Sequence, residues 1–112
     1  MKLLSYSDKI KILVADDEAL ARQRVLKFLN ESDKAFEVYE ASNGKETILQ
    51  ISNENPDILF LDIKMTDMTG FDVLRQLPEE EIPIVIFVTA FSSSEFMIAG
   101  QIFRVLPRKT AL

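Results

Sequence analysis

The feature that most constrains the fold is an alternation of short apolar runs with longer segments in which apolar residues recur at a helical period. The predicted strands are residues 10–15, 36–40, 58–62, 82–89 and 102–106, and the predicted helices are residues 18–30, 43–52, 70–77 and 93–100. Strands 1, 3 and 4 are almost wholly apolar, which is typical of a parallel sheet with helices on both faces. The pattern predicts an open, doubly wound α/β domain with five parallel strands in the order 2-1-3-4-5.

The helical period also predicts which side chains face the sheet. They are Ala21, Val25 and Phe28 in the first helix, and Phe71, Leu74 and Leu77 in the third.

Composition excludes several kinds of site. The chain of 112 residues contains no cysteine and no histidine, so disulfides, thiolate or imidazole metal sites and histidine catalysis are excluded. No apolar run is long enough to cross a membrane, and the N-terminus lacks a secretory signal, so we expect a cytoplasmic protein without membrane contact. The net charge of −5 does not favour direct binding of nucleic acid. We expect residues 1–112 to form one domain, with residues 1–9 as an N-terminal extension.

Polar side chains follow the strands at the carboxyl edge of the predicted sheet. Asp16 and Asp17 end strand 1, Asp62 ends strand 3, and Thr89 ends strand 4. Because strands 1 and 3 are predicted neighbours, these acids should share one small space, repel one another and bind a cation. Oxygen ligands alone favour Mg²⁺. Beside such an ion, Asp62 can attack a phosphoryl group and carry it as an acyl phosphate, with the Thr89 hydroxyl nearby.

Each of these residues also has a plain structural interpretation. Asp16 and Asp17 suit the start of a helix, Asp62 suits a turn, and Thr89 suits a strand. Their coincidence at the same edge of one sheet favours the functional interpretation.

Four segments together resemble the receiver domain of two-component response regulators, which has a flavodoxin-like fold. They are residues 11–25 (KILVADDEALARQRV), 42–48 (SNGKETI), 57–77 (DILFLDIKMTDMTGFDVLRQL) and 82–91 (IPIVIFVTAF). The VTAF ending is most similar to the receivers of LytTR-type regulators.

The resemblance implies a role for each residue of the predicted site. Asp62 would be the phospho-acceptor, Asp17 a direct Mg²⁺ ligand, and Asp16 a nearby acid that acts through water. Lys64 would supply its backbone carbonyl to the metal, and Thr89 would be the switch hydroxyl. The domain would take the phosphoryl group from a sensor histidine kinase. It would be a signalling module in a phosphorelay rather than an enzyme, although it would assist its own phosphorylation and dephosphorylation.

Two departures from the family pattern affect these expectations. Thr66 stands where the family often has proline, four residues after the acceptor, so this loop should be less rigid. The family's last strand is followed by Lys-Pro and a fifth helix, whereas this chain reads IFRVLPRKTAL. Lys109, or else Arg108, would then be the cation that pairs with the phosphoryl group. The apparent lack of a fifth helix should leave one face of strands 1 and 5 uncovered, and we expect a homodimer, an exchanged element or a truncated chain.

Three other functions are consistent with parts of the pattern. A phosphatase that forms an aspartyl phosphate would carry a second acid two residues after the nucleophile, where this chain has Lys64. A flavodoxin-like cofactor binder would carry a glycine-rich loop after strand 1, where this chain has three acids. A pseudo-receiver would keep the fold and bind a partner without being phosphorylated, and it is the main alternative.

Overall fold

The computed structural model describes residues 9–89, 95–98 and 101–107, and it describes only the backbone of Thr89 and of the last two segments. The strands are β1 (Ile10–Ala15), β2 (Phe36–Ala41), β3 (Ile58–Asp62), β4 (Ile84–Thr89), β5 (Glu95–Ile98) and β6 (Gln101–Pro107). The helices are α1 (Ala19–Asn30), α2 (Gly44–Glu54) and α3 (Gly70–Arg75), and a 3₁₀ turn at Glu79–Glu81 precedes β4.

The strands form one sheet in the order β2-β1-β3-β4-β6-β5. All neighbours are parallel except β5, which runs antiparallel to β6 at the edge. The predicted order 2-1-3-4 is confirmed, and the strand predicted as the fifth lies beside β4. Ala15 pairs with Ala41 on one side and Leu61 on the other, so β1, β2 and β3 end at the same edge.

Helices cover both faces of the sheet, as the apolar strands predicted. On one face α2 and α3 pack on β1, β3 and β4, with Ile51 and Leu74 buried against Leu59 and Phe87. On the other face, Val25 and Leu29 of α1 pack against the opposite side chains of the same strands.

Local signals in the sequence explain where α2 and α3 begin. The Asn43 side chain accepts a hydrogen bond from the Glu46 N–H at 2.8 Å and caps α2. Thr69 and Asp72 exchange side-chain and backbone hydrogen bonds in a capping box at the start of α3. Both caps satisfy N–H groups that have no partner inside the helix.

Two predictions about the helices are wrong. The Phe28 side chain is half exposed, and Leu29 is buried in its place, because α1 presents the 21-25-29 row of side chains to the sheet. The segment predicted as the helix 93–100 contains the strand β5. Pairing with β6 gives its aromatic and β-branched residues the partner strand that they favour, and this tertiary contact overrides a weak helical pattern.

The expectation that β1 has an uncovered face is also wrong. Ile12 and Val14 are buried on the side that α1 covers, and Leu13 is buried on the other. The side chains of β6, which was predicted as strand 5, lie outside the described part of the structure, so self-association stays a prediction. No helix among the described residues is both long and apolar enough to span a membrane.

Candidate functional site

Three carboxylates meet at the carboxyl edge of the sheet. Asp16, Asp17 and Asp62, which we call the acid cluster, each place an oxygen within 4.8 Å of the other two. Asp16 and Asp62 are buried, with 4% and 3% of their surface exposed, whereas Asp17 is partly buried. The sequence prediction that the acids at the ends of strands 1 and 3 share one space is therefore confirmed.

Hydrogen bonds from three parts of the chain hold Asp16 in place. The Asp16 N–H donates to the Ala41 carbonyl at 3.1 Å, which extends the pairing of β1 with β2. The Asp16 carboxylate accepts the Glu18 N–H at 2.9 Å. The Arg22 guanidinium donates to the Asp16 carbonyl at 2.8 Å and to the Glu40 carboxylate at 3.0 Å. These bonds fix the turn from which Asp16 and Asp17 project.

Gly70 allows the chain to return close to Asp62. A Cβ atom at Gly70 would lie 2.6 Å from the Asp62 carbonyl oxygen, which is too close for a real contact. It would also lie 3.1 Å from the Leu61 side chain. The Gly70 N–H donates to the Ile63 carbonyl at 2.7 Å. The start of α3 therefore packs directly on the backbone that carries Asp62.

The segment that joins β3 to α3, residues 63–69, is the β3–α3 loop. Lys64 and Thr69 form an antiparallel bridge across it, and the Lys64 N–H approaches the Asp62 carboxylate at 3.4 Å. Asp67 accepts the backbone N–H groups of Gly44 and Lys45, and these two bonds, in that order, lower the pKa of Asp67.

The electrostatics of the acid cluster favour a hard divalent cation. Two unit charges 4.8 Å apart repel by roughly 3.5 kcal/mol at an effective dielectric constant of about 20. A cation that binds all three carboxylates removes this repulsion, and hard oxygen ligands without nitrogen or sulfur fit Mg²⁺. The donor set of the acid cluster therefore fits the ion that the sequence predicted.

The other predicted site residues differ in how much of them the structure describes. The Lys64 side chain is exposed, and the predicted role of its backbone carbonyl stays a prediction. Val88 pairs with Asp62, and Thr89 pairs with Pro107, so β4 and β6 both run to the edge that holds the acid cluster. The Thr89 side chain, Arg108 and Lys109 lie outside what is described.

Two residues near the acid cluster escaped sequence reasoning. In the sequence, Arg22 fits an exposed position on the first helix. Its contact with the Asp16 carbonyl depends on the bend between β1 and α1. Asp67 lies in a polar loop, and its partners are more than twenty positions earlier in the chain. No spacing rule connects either residue to the site.

Comparison with known proteins identifies the family. A model described as the response regulator receiver domain matches residues 12–103. Transcriptional regulatory protein BtsR of Escherichia coli is 42% identical over 82 residues, which are 73% of this chain and 34% of that protein. Sensory transduction protein LytT of Bacillus subtilis is 32% identical over 83 residues, with the same coverage. The chain therefore spans about a third of the length of the curated relatives that it matches.

Solved structures agree with the sequence comparison. Response regulator protein TrrA of Thermotoga maritima, in complex with Mg(2+)-BeF, is 31% identical, with a TM-score of 0.65 over 73% of this chain and 70% of that one. Chemotaxis protein CheY4 of Vibrio cholerae is 25% identical, with a TM-score of 0.66 over 77% of this chain and 72% of that one. Because the family model covers most of this chain, the chain belongs to the receiver domain family of two-component response regulators.

Proposed function

We propose that this receiver domain accepts a phosphoryl group on Asp62 from the phosphohistidine of a sensor kinase, with Mg²⁺ bound at the acid cluster. Receiver domains of response regulators interact with histidine kinases and act as signalling domains. The observation that carries the proposal is the convergence of Asp16, Asp17 and Asp62 within 4.8 Å, with two of the three buried. A pair of buried acids beside a third is costly unless hydrogen bonds or a cation offset the charge, and a cation would offset it for all three acids at once.

In the proposed transfer, an oxygen of Asp62 forms a bond to phosphorus as the bond from phosphorus to the histidine nitrogen breaks. The imidazole keeps the electron pair, and Asp62 becomes an acyl phosphate. Asp16, Asp17 and Asp62, together with the Lys64 carbonyl, would hold the ion. When bound, Mg²⁺ supplies positive charge that offsets the developing charge on the phosphoryl oxygens.

Residues on the neighbouring strands would respond to the added charge. The phosphoryl group adds negative charge and strong acceptor oxygens at Asp62. The Thr89 hydroxyl would donate to one of these oxygens, and Lys109, or else Arg108, would pair with another. The alignment of Thr89 with Pro107 supports this, because β6 ends at the same edge just before Arg108. The change would bias a two-state equilibrium at β4 and the segments after it. The domain would also assist its own dephosphorylation, in which water attacks phosphorus and the Asp62 carboxylate leaves.

The complex of the TrrA relative with Mg(2+)-BeF supports the choice of Mg²⁺. The similarity to BtsR, a transcriptional regulatory protein, supports a role for this domain within a transcriptional regulator, and the VTAF ending supports the LytTR type. We also propose that the domain self-associates, as a homodimer or through an exchanged element.

The test is the intact mass of the protein after incubation with acetyl phosphate, with and without Mg²⁺. We expect a gain of one phosphoryl group in the wild type with Mg²⁺, and no gain in the Asp62→Ala variant. The matched control is Asp57→Asn, which removes a carboxylate charge at the opposite end of β3 and should leave the gain intact. No gain in the wild type would overturn the proposal and favour a pseudo-receiver.

A further inference from the structure

The β3–α3 loop is fastened at its base and at its tip. At the base, the Gly70 N–H donates to the Ile63 carbonyl at 2.7 Å, and the Met65 N–H donates to the Met68 carbonyl at 3.2 Å. At the tip, Asp67 reaches out of the loop to a different element, the first turn of α2. The loop is therefore tied to the helix that follows β2 and not only to its own strand and helix.

The Asp67 carboxylate uses both of its oxygens in this contact. Oδ1 accepts the Gly44 N–H at 2.8 Å, and Oδ2 accepts the Lys45 N–H at 2.9 Å. Two charge-assisted bonds to consecutive N–H groups fix both the position and the orientation of the carboxylate. The fit beside it is close, because a Cβ atom at Gly44 would collide with the Met68 side chain.

The start of α2 also connects to the other half of the acid cluster. Ala41, the last residue of β2, accepts the Asp16 N–H through its carbonyl, and α2 begins only three positions later. Asp67 therefore joins the loop after Asp62 to the segment that holds the backbone of Asp16. The link from the end of β3 to the end of β1 is therefore indirect and runs through the segment between β2 and α2.

We infer that Asp67 is a positioning residue, which holds the β3–α3 loop, and with it the Lys64 carbonyl, in register with the acid cluster. Thr66, directly before it, leaves this loop without the rigidity that a proline gives, so a tether at the tip has more effect here. The inference rests on the proposed function, because its consequence is tighter Mg²⁺ binding.

The first experiment compares Asp67→Asn with Asp57→Asn. An amide can accept only one of the two N–H groups and turns its NH₂ toward the other. The control removes the same charge from a bond that an amide oxygen can still accept, that of the Lys11 N–H to the Asp57 carboxylate at 2.8 Å, at the edge of the sheet away from the acid cluster. We expect Asp67→Asn to weaken Mg²⁺ binding, measured by isothermal titration calorimetry, on the order of 10-fold. Asp57→Asn should leave it unchanged.

Kinetics and a second variant separate positioning from stability. With acetyl phosphate, Asp67→Asn should need more Mg²⁺ for half-maximal phosphorylation, while the rate at saturating Mg²⁺ stays near that of the wild type. Thr66→Pro in the Asp67→Asn background should recover part of the lost affinity by stiffening the loop. A lower thermal midpoint with unchanged Mg²⁺ affinity would overturn the inference, because Asp67 would then only stabilise the fold.

Amide hydrogen exchange distinguishes failure of this inference from failure of the proposed function. Without any metal, Asp67→Asn should speed exchange at Met65 and Gly70, and Asp57→Asn should not. A wild type that binds no Mg²⁺ would overturn the proposed function and the metal part of the inference. Unchanged exchange in Asp67→Asn would overturn the role of Asp67 in ordering the loop.

Discussion

Removing one charge from the acid cluster should stabilise the protein when no divalent ion is present. In Asp17→Asn, two repulsive pairs disappear, each with oxygens no more than 4.8 Å apart. At that distance a pair of charges costs from about 0.9 kcal/mol in water to about 3.5 kcal/mol at an effective dielectric constant of 20. Because Asp17 is only partly buried, we take about 1 kcal/mol per pair.

One term opposes this gain. Asp17 lies just before α1, where a negative charge interacts favourably with the helix dipole by about 0.3–1 kcal/mol. The repulsion is larger, so the net stabilisation should be about 1 kcal/mol. For a domain of this size that corresponds to a rise in the thermal midpoint of roughly 4 °C.

The assay is thermal unfolding followed by circular dichroism, first with EDTA and then over a Mg²⁺ titration. In EDTA, Asp17→Asn should unfold at a higher temperature than the wild type. At a Mg²⁺ concentration of about 100 times its dissociation constant, the wild type should gain about 2.7 kcal/mol and become the more stable of the two. The control is Asp33→Asn, in the exposed loop before β2. It should unfold at the same temperature as the wild type, both in EDTA and with Mg²⁺. If Asp17→Asn unfolds at a lower temperature than the wild type in EDTA, the reasoning from repulsion is refuted.

Three further predictions follow from single contacts. Gly70→Ala should lower the free energy of unfolding in urea by about 1–3 kcal/mol, because its Cβ would press on the Asp62 carbonyl, and retained stability would show that the backbone yields. The pKa of Asp67 in the folded chain lies below its usual 3.8. The contribution of Asp67 to the free energy of unfolding is therefore complete above the pKa of the unfolded chain, and it is lost as the pH falls through the pKa of the folded chain. Asp67→Asn should therefore flatten the acid side of a stability curve measured by denaturant unfolding, and an unchanged curve would contradict this. The hydrogen bond to Glu37 is the largest cause that raises the pKa of Tyr39 to about 12, and Glu37→Gln should lower this midpoint in an absorbance titration referenced to Tyr39→Phe.

The sheet was predictable from the sequence because its strands are buried on both faces. A run such as Leu59 to Leu61 has no polar position, and few folds other than a parallel sheet between helices can bury it. Turn and cap chemistry then placed the helices, since Asn43 and Gly70 each mark a helix start that the structure contains. The apolar pattern of a strand and the hydrogen bonds of a helix cap both lie within a few consecutive residues, so a single sequence reveals them.

The sequence did not predict those features that depend on contacts between distant parts of the chain. Phe28 and Leu29 both fit a helical period, and only the angle at which α1 lies on the sheet buries the second instead of the first. The strand β5 exists through its antiparallel pairing with β6, in which Phe96 is opposite Phe103. Neither the docking angle of α1 nor the edge pairing of β5 follows from local propensity.

The aspartates described here fall into two groups, which differ in whether other carboxylates lie close by. Asp57, Asp67 and Asp72 accept backbone N–H groups, so each lowers the free energy of the folded chain without any ion. In the acid cluster, Asp16 and Asp62 also accept backbone N–H groups, but the three carboxylates in addition lie within 4.8 Å of one another, and this repulsion favours a bound cation. In the sequence both groups are simply acids near strand or helix ends, which is why the site could be predicted while its support could not. Replacing an acid of the first group should destabilise the metal-free protein, whereas replacing Asp17 should stabilise it.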